Sequence, residues 1–324
     1  MKWCGVVVMI LSVLASAQAE WFNGLTIEAP REPYTEAVFT EAATALEPNW
    51  VAVVPYGFVT PGSSDVQFKI KRQWWGESLE GTEAQIRSAR RLGKKVLLKP
   101  QVWLMDGSYT GDLDFETEKE WQALEQSYRA YVFHYLESEQ GRSVDAVCVG
   151  TEWENWVRKR PEFWQQLIRD IRKTYPGLLT YAANWDAYTE PPFWTELDLI
   201  GINAYFSLGS AGWKKWKPAM EDFSRKVGRP VVFTEFGYRS VERTLEEPWA
   251  EVNGRRVDNA EQLQALEKLF KTFWTEQESD WFRGGFLWKW HLRAGRKMSH
   301  GYTVQDKPAE ALVREVYSQR ALTK

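Results

Sequence analysis

The feature that most constrains the fold is an alternation, repeated from Glu20 onward, of short apolar runs with longer segments of helical spacing. The short runs are rich in β-branched residues, which is typical of parallel strands buried on both faces. They lie at residues 24–29, 50–55, 95–100, 144–150, 178–183, 198–204, 230–235 and 284–290. This order predicts an α/β fold in which helices connect the strands of a parallel sheet.

Apolar residues recur at intervals of three and four between these strands, as in amphipathic helices. The best-marked helical segments begin near Thr82, Trp121, Phe163 and Asp258. Thr82 to Gln85 resembles a capping box, and this helix is expected to end at Gly93. With a last helix near 308–318, the pattern predicts eight strands, seven intervening helices and a final one. Such a chain is expected to form a single (β/α)8 TIM barrel.

Two other architectures are compatible with a length of 324 residues. A rule of about 150 residues per domain suggests two domains, but (β/α)8 barrels of about 250 residues are single domains. An open doubly wound sheet is the second alternative, yet no glycine-rich phosphate loop follows the first predicted strand. No linker rich in Pro, Gly or Ser divides the chain. We therefore expect one domain over residues 20–324.

The amino terminus has the pattern of a secretory signal peptide over residues 1–19. Lys2 provides a basic start, Val6 to Leu14 an apolar stretch, and Ala17-Gln18-Ala19 a small-residue cleavage site. An uncleaved membrane anchor is the alternative, but the apolar run is shorter than the roughly 20 residues that span a bilayer. We expect an exported protein, periplasmic or extracellular, with no stable membrane insertion after cleavage. Cys4 would leave with the signal, so Cys148 would remain alone as a small core residue.

Charge and aromatic content narrow the range of partners. Forty-one basic and forty-four acidic residues give a net charge of −3 without long runs of one sign. Nucleic acid and anionic membranes are therefore not expected as main partners. The chain also has 19 tryptophans, 13 tyrosines and 16 phenylalanines. Core packing must account for most of them, but tryptophans beside polar residues at strand ends are suited to stacking on sugar rings.

No metal or other cofactor is expected from the sequence. The chain has three histidines, and none has ligand spacing: His134, His291 and His300. Asp112, Asp114 and Glu116 alternate in a loop and could bind calcium, although acids at the solvated start of a helix are the more common case. A serine nucleophile is equally unsupported, because no G-x-S-x-G motif occurs.

Two apolar runs end in a glutamate beside aromatic residues: Val147 to Glu152 and Val231 to Glu235. On our count Glu152 ends the fourth strand and Glu235 the seventh. The carboxyl ends of barrel strands converge on one face, where a pair of carboxylates can cleave a glycosidic bond. Glu154 is a rival for the acid role, because strand alternation would put it on the same side as Glu152. We prefer Glu152, since Gly150-Thr151 has the character of a strand end.

The strand-end motifs, in order, resemble those of glycoside hydrolase family 113. The motifs are Gln73-Trp74-Trp75-Gly76-Glu77-Ser78, Leu98-Lys99-Pro100-Gln101-Val102-Trp103, Val149-Gly150-Thr151-Glu152, Tyr181-Ala182-Ala183-Asn184-Trp185-Asp186, Gly201-Ile202-Asn203-Ala204-Tyr205-Phe206, Phe233-Thr234-Glu235-Phe236-Gly237-Tyr238 and Gly285-Phe286-Leu287-Trp288-Lys289-Trp290. The resemblance runs from about residue 21 to 317. It implies an endo-β-1,4-mannanase of the clan of retaining barrel glycosidases.

By position, the resemblance implies that Glu152 is the acid/base, that Glu235 is the nucleophile and that the Tyr205 hydroxyl bonds the nucleophile. The remaining positions implied to bind substrate are Asn203, Asn184, Trp185, Trp288, Trp290, Lys99, Gln101 and Trp103. Core packing is the alternative role for each tryptophan. The expected partner is a polysaccharide or oligosaccharide, and the protein is expected to be a monomer.

The chain departs from the family pattern at two positions. Gln101 stands where the family usually has a histidine, so a titratable ring is replaced by a neutral amide. Thr151 stands where the wider clan commonly has an asparagine that contacts the sugar 2-hydroxyl. Both departures affect which sugar is accepted more than they affect the reaction. Another β-glycan, such as a glucan or substituted mannan, therefore remains an alternative substrate. Two alternative functions also remain: a catalytically silent barrel that only binds glycan, and a periplasmic protein that binds a partner.

Overall fold

A computed structural model describes residues 21–209, 214–274, 279–292 and 299–321 of the chain. The predicted signal peptide lies outside the described residues. No helix among the described residues is long and apolar enough to cross a membrane.

Eight parallel strands form a closed barrel, as the alternation predicted. They are β1 (Phe22–Ile27), β2 (Trp50–Val53), β4 (Lys95–Leu98), β6 (Ala146–Thr151), β7 (Leu178–Asn184), β8 (Ile200–Asn203), β9 (Val231–Phe236) and β10 (Phe282–Trp290). Each strand pairs with the next in this order, and β10 returns to pair with β1. All eight strands predicted from the sequence are thus confirmed, and so is the single (β/α)8 architecture.

Two further strands were not predicted. β3 (Tyr56–Val59) and β5 (Gln101–Leu104) pair in parallel outside the barrel and form a small sheet of their own. Each begins just after a barrel strand, β2 or β4, and therefore extends the polypeptide beyond the carboxyl end of the barrel. The Tyr131 hydroxyl donates to the carbonyls of Pro55 at 2.6 Å and Gln101 at 2.9 Å, which ties the two extensions together.

Eight α-helices occur among the described residues. They are α1 (Glu36–Thr44), α2 (Leu79–Arg91), α3 (Glu118–Leu136), α4 (Glu154–Lys159), α5 (Pro161–Arg172), α6 (Trp216–Val227), α7 (Asn259–Phe273) and α8 (Pro308–Ala321). The prediction of a helix in every connection was wrong between β7 and β8. That segment contains Pro191 and Pro192, which cannot donate helical hydrogen bonds, and it has only a 3-10 turn, Trp194–Glu196.

Two helix N-termini were predicted, one near Asp258 and one near Thr82, and only the first is confirmed. Asp258 is the N-cap of α7, and its side chain accepts a hydrogen bond from the Glu261 N–H at 2.8 Å. The start predicted at Thr82 was wrong by about one turn, because Ser78 caps α2 and accepts from the Gly81 N–H at 3.2 Å. Thr82 is instead buried, and its hydroxyl donates to the Gly76 carbonyl at 3.3 Å.

The barrel interior is filled at its amino-terminal end. Phe22, Trp50 and Phe286 pack there, with ring centroids of Phe22 and Trp50 4.6 Å apart. Cys148 belongs to the same buried cluster, as expected for a small core residue. The larger core lies between the strands and the surrounding helices. Because aromatic rings close the amino-terminal end, polar side chains can gather at the opposite, carboxyl end of the barrel.

Candidate active site

The two candidate carboxylates come from neighbouring parts of the carboxyl end of the barrel. Glu152 directly follows β6, and its N–H donates to the Ala182 carbonyl of β7 at 2.9 Å. Glu235 lies in β9, opposite Asn203 of β8 in the strand register. The structure therefore brings both glutamates to one polar surface that spans β6 to β9.

Glu152 sits in an unusual backbone conformation. Its φ is 54°, in the left-handed region that residues with a Cβ rarely adopt. Such a residue costs roughly 1–2 kcal/mol in local backbone energy, and strain of this kind is concentrated at functional sites. The conformation ends β6 and turns the chain toward α4.

A side-chain network holds the Glu152 carboxylate. The Asn203 amide donates from Nδ2 to Glu152 Oε1 at 2.8 Å, while Asn203 Oδ1 accepts from the Thr234 hydroxyl at 2.9 Å. Asn203 therefore links Glu152 to Thr234 of β9. Burial raises the pKa of Glu152 to about 7, and the negative charge of Glu235 adds to this effect. Glu152 can therefore hold a proton near neutral pH.

The side chain of Glu235 has a different environment from that of Glu152, because a cationic group donates to it. This side chain is buried, and Lys99 Nζ donates to its Oε1 at 2.5 Å. The Tyr205 hydroxyl donates to the other oxygen, Oε2, at 2.7 Å. Two donors, one of them cationic, match the carboxylate form and fix its direction. A neighbouring proton donor and a fixed carboxylate are the two components that glycosidic cleavage needs.

Lys99 and Gln101, both expected to touch substrate, lie beneath the carboxylates. Lys99 is completely buried, and besides its contact with Glu235 it donates to Gln101 Oε1 at 3.1 Å. The structure thus brings Lys99 to the Glu235 carboxylate and uses Gln101 to orient its ammonium group. Gln101 is half-buried.

The tryptophans expected to bind sugar differ in exposure. Trp290 is buried and packs in the core, which favours the packing role for this residue. Trp288 is partly exposed, and Lys99 Nζ lies 5.6 Å from its ring centroid, so it adjoins the Glu235 pair. Trp103 is 53% exposed on β5, in the small outer sheet.

Asn184 and Trp185 stand at the end of β7. Asn184 pairs with Asn203 in the strand register, and its Oδ1 accepts from the Trp185 N–H at 3.0 Å. Trp185 is half-buried and stacks on Trp249, with ring centroids 5.3 Å apart. Both residues are therefore next to Asn203, the residue that bonds Glu152.

A charged cluster at the ends of β1 and β10 was missed from the sequence. Glu28 follows β1 and accepts from Lys289 Nζ at 2.7 Å and from His291 Nδ1 at 2.5 Å. Burial would raise the pKa of Glu28, but the His291 and Lys289 contacts outweigh it and lower the pKa to about 2. The rule that placed Glu152 at a strand end also applies to Glu28, and could have found it.

Two further ionisable residues with raised pKa values lie outside the strands, where strand patterns give no signal. The Tyr109 hydroxyl donates to Glu154 Oε1 at 2.7 Å. Burial and the nearby charge of Glu152 both raise the pKa of Tyr109. Glu77, in a 3-10 turn, is buried, and this burial raises its pKa to about 7. Glu154, the alternative to Glu152 as the acid, therefore has its carboxylate hydrogen-bonded to the Tyr109 hydroxyl.

The described residues include no group of three or more His, Cys, Asp or Glu that could hold a metal ion. Asp114, one of the acids considered for calcium, forms an ion pair with Lys159 at 2.5 Å. The groups that the structure places at the carboxyl end of the barrel include carboxyl groups, the buried ammonium group of Lys99 and the Tyr205 hydroxyl.

Comparisons with known proteins identify the family and similar folds. Residues 31–307 match the family model described as Glycoside Hydrolase Family 113. Two solved structures of this family each match 93% of the chain. The first is a complex of a GH113 β-1,4-mannanase, with 22% identity and a TM-score of 0.81. The second is the Alicyclobacillus acidocaldarius GH113 β-mannanase AaManA in complex with ManMIm, with 25% identity and a TM-score of 0.80. The chain covers 99% and 98% of these two structures, respectively.

A more distant similarity concerns the fold alone. A Ruminococcus gnavus β-glucuronidase is 12% identical with a TM-score of 0.60, and the match covers 92% of this chain and 50% of that one. A comparison with curated proteins found no match. The barrel, its carboxylate pair and these comparisons define a glycoside hydrolase. The chain belongs to glycoside hydrolase family 113.

Proposed function

We propose that the protein is a retaining endo-β-1,4-mannanase in which Glu152 is the acid/base and Glu235 the nucleophile. The observation that carries this proposal is the contrast between the two carboxyl groups. Glu152 has a pKa raised to about 7, whereas Glu235 receives hydrogen bonds from Lys99 and Tyr205. One group is suited to donate a proton and the other to attack as an anion.

The reaction follows as a double displacement. Glu235 attacks the anomeric carbon while Glu152 protonates the departing glycosidic oxygen, which leaves a glycosyl-enzyme ester on Glu235. Glu152, now ionised, removes a proton from water as the water attacks the same carbon, and this step releases Glu235. Asn203 keeps Glu152 oriented through both steps. Lys99 and Tyr205 do the same for Glu235, and Lys99 balances its charge when the ester breaks.

Substituting the two glutamates separates their roles. Glu235→Ala is expected to abolish turnover of mannan, because no carboxylate remains to form the ester. Glu152→Ala should retain slow cleavage of a dinitrophenyl β-glycoside, whose leaving group needs no proton, and added azide should yield the β-glycosyl azide. Glu80→Ala, an exposed residue of α2, is the matched control. Undiminished hydrolysis by the Glu235 variant would contradict the assignment.

The stereochemistry of the first product tests the mechanism separately. Double displacement inverts the anomeric carbon twice, so proton NMR should show the β anomer before mutarotation. An α anomer formed first would exclude Glu235 as a covalent nucleophile.

Mannan is the proposed substrate because similar family 113 structures are described as β-1,4-mannanases. Another β-glycan is the second candidate, favoured by Gln101 beneath the site and by Thr151 before the acid/base. Reducing-end release from mannan, glucan and xylan decides between them. Affinity electrophoresis that shows binding without release from any of these glycans would indicate a catalytically silent barrel.

We also propose that residues 1–19 are removed on export and that residues 20–324 act as one monomeric catalytic domain. The amino-terminal pattern of a basic residue, an apolar stretch and a small-residue site supports the first part. Amino-terminal sequencing of the protein made in a bacterial host should begin at Glu20. A chain that keeps Met1 would contradict cleavage, and sedimentation would test the monomer.

A further inference from the structure

Trp249 is unusually exposed for a tryptophan that makes ordered contacts. It lies in the connection between β9 and α7, and 49% of its surface is accessible. One side of its indole ring stacks on Trp185 at an interplanar angle of 27°. Trp185 in turn meets the edge of Trp216, with ring centroids 5.0 Å apart. Trp249 is thus the outermost ring of this aromatic stack, and we call the pair the Trp185–Trp249 platform.

The connection that carries Trp249 is held at several points. The Tyr302 hydroxyl donates to the Pro248 carbonyl, next to Trp249, at 2.9 Å. The Glu261 carboxylate accepts from the N–H groups of Arg243 at 2.8 Å and Leu245 at 3.0 Å. An exposed indole on an anchored segment loses little conformational entropy when it binds a ligand, which favours a binding role over incidental exposure.

The platform is continuous with the candidate active site. Tyr302, which anchors Pro248, packs against Tyr205 with ring centroids 5.4 Å apart, and Tyr205 bonds Glu235. On the other side, Trp185 follows Asn184, whose register partner Asn203 bonds Glu152. Contacts lead from the platform to Glu235 through Tyr302 and Tyr205, and strand register places the chain neighbour of Trp185 beside Asn203. The platform therefore adjoins the candidate active site on its β7 to β9 side.

We propose that the Trp185–Trp249 platform is a distal subsite that binds a pyranose ring of the glycan chain away from the bond being cleaved. The inference rests on the proposed function for the identity of the chain. The apolar face of a pyranose matches the free face of an indole, while the sugar hydroxyls stay in water. Binding energy at the platform is available only to chains long enough to reach both the platform and the carboxylates. The platform therefore favours cleavage within long chains over removal of single end residues.

The test compares long and short substrates. Trp249→Ala is expected to lower kcat/KM on polymeric mannan and on a mannohexaose roughly tenfold, and to leave an aryl β-mannoside unchanged. Trp249→Phe should recover most of the loss, since it restores an aromatic face. Val257→Ala, at another exposed apolar residue of the same connection, is the matched control. Equal losses on all substrates, or none on the polymer, would overturn the proposal.

Binding measurements keep this test separate from that of the proposed function. Affinity electrophoresis in gels containing mannan, glucan or xylan should show weaker retardation of Trp249→Ala than of the unsubstituted protein, whether or not the glycan is hydrolysed. If the unsubstituted protein cleaves mannan and Trp249→Ala matches it in both assays, the platform is refuted and the proposed function stands. If the unsubstituted protein cleaves no glycan but is retarded in the gel, and Trp249→Ala is retarded less, the proposed function fails and the platform stands. Absence of retardation of the unsubstituted protein in every gel would refute the platform.

Discussion

At the scale of single residues, Glu152 and Glu235 are chemically the same side chain in opposite surroundings. Glu152 faces a neutral amide and a like charge, and its pKa is raised to about 7. Glu235 faces an ammonium group and a hydroxyl. The fold thus gives two identical carboxyl groups different surroundings through the neighbours that each strand end supplies, which is the basis of the roles proposed for them.

The pH dependence of catalysis should report the proton on Glu152. A general acid is active while protonated, so kcat/KM for a substrate with a poor leaving group should fall as pH rises through about 7. A dinitrophenyl β-glycoside needs no acid, and its profile should lack this alkaline limb. The two profiles can be measured by stopped assays over a pH range of about 5 to 9. An identical limb with both substrates would assign it to another group.

At the scale of secondary-structure elements, the site depends on how closely β7 and β8 approach. Gly201 of β8 has no room for a side chain, since a Cβ there would lie 2.2 Å from the Tyr181 carbonyl and 2.6 Å from Thr180 Oγ1. The same two strands carry Asn184 and Asn203 at their carboxyl ends. A separation of β7 and β8 at Gly201 would therefore be expected to shift Asn203, which follows on the same strand.

Gly201→Ala is expected to destabilise the protein by about 2 kcal/mol or more, because β7 and β8 must separate to admit the methyl group. Urea denaturation followed by tryptophan fluorescence measures the loss. Ala37→Gly, at an exposed position of α1, is the control, because it changes a small residue away from the barrel. A Gly201 variant as stable as the parent would show that the strands tolerate separation.

The barrel strands were predictable because strands buried on both faces produce unbroken apolar runs. The outer strands β3 and β5 were not, because each continues from a barrel strand without a turn signal long enough to separate them. Ser78 and Thr82 offer the same capping chemistry one turn apart, and only the packing of Thr82 under Gly76 distinguishes them. The bond from Asn203 to Glu152 depends on strand register, which the sequence of one strand does not contain.

At the scale of the whole molecule, stability should depend on the buried carboxyl groups. Burial raises the pKa of Glu77 from 4.5 to about 7, so its neutral form stabilises the fold at low pH. This contribution is complete below a pH of about 4.5 and is lost as pH rises through about 7. Glu152 acts in the same direction.

Glu77→Gln, neutral at every pH, should remove the Glu77 part of this dependence. The difference in free energy of unfolding, variant minus parent, is expected to rise by about 2–3 kcal/mol when the pH is raised from about 4.5 to about 9. The amide oxygen of the introduced glutamine can still accept from the Trp74 N–H, as the Glu77 carboxylate does at 2.8 Å. Urea titrations at both pH values measure the change, with exposed Glu80→Gln as control. Parallel pH curves for parent and Glu77→Gln would contradict the prediction.

The seam between β1 and β10 joins the beginning of the described chain to nearly its end. Glu28 after β1 holds Lys289 and His291 at the end of β10, and Tyr317 of α8 donates to the Gly24 carbonyl at 2.8 Å. During synthesis, Glu152 emerges from the ribosome long before the strand that completes the barrel around it. A nascent chain without β10 cannot close the barrel. The order of translation itself therefore delays completion of the carboxyl end of the barrel until the last strand has been made.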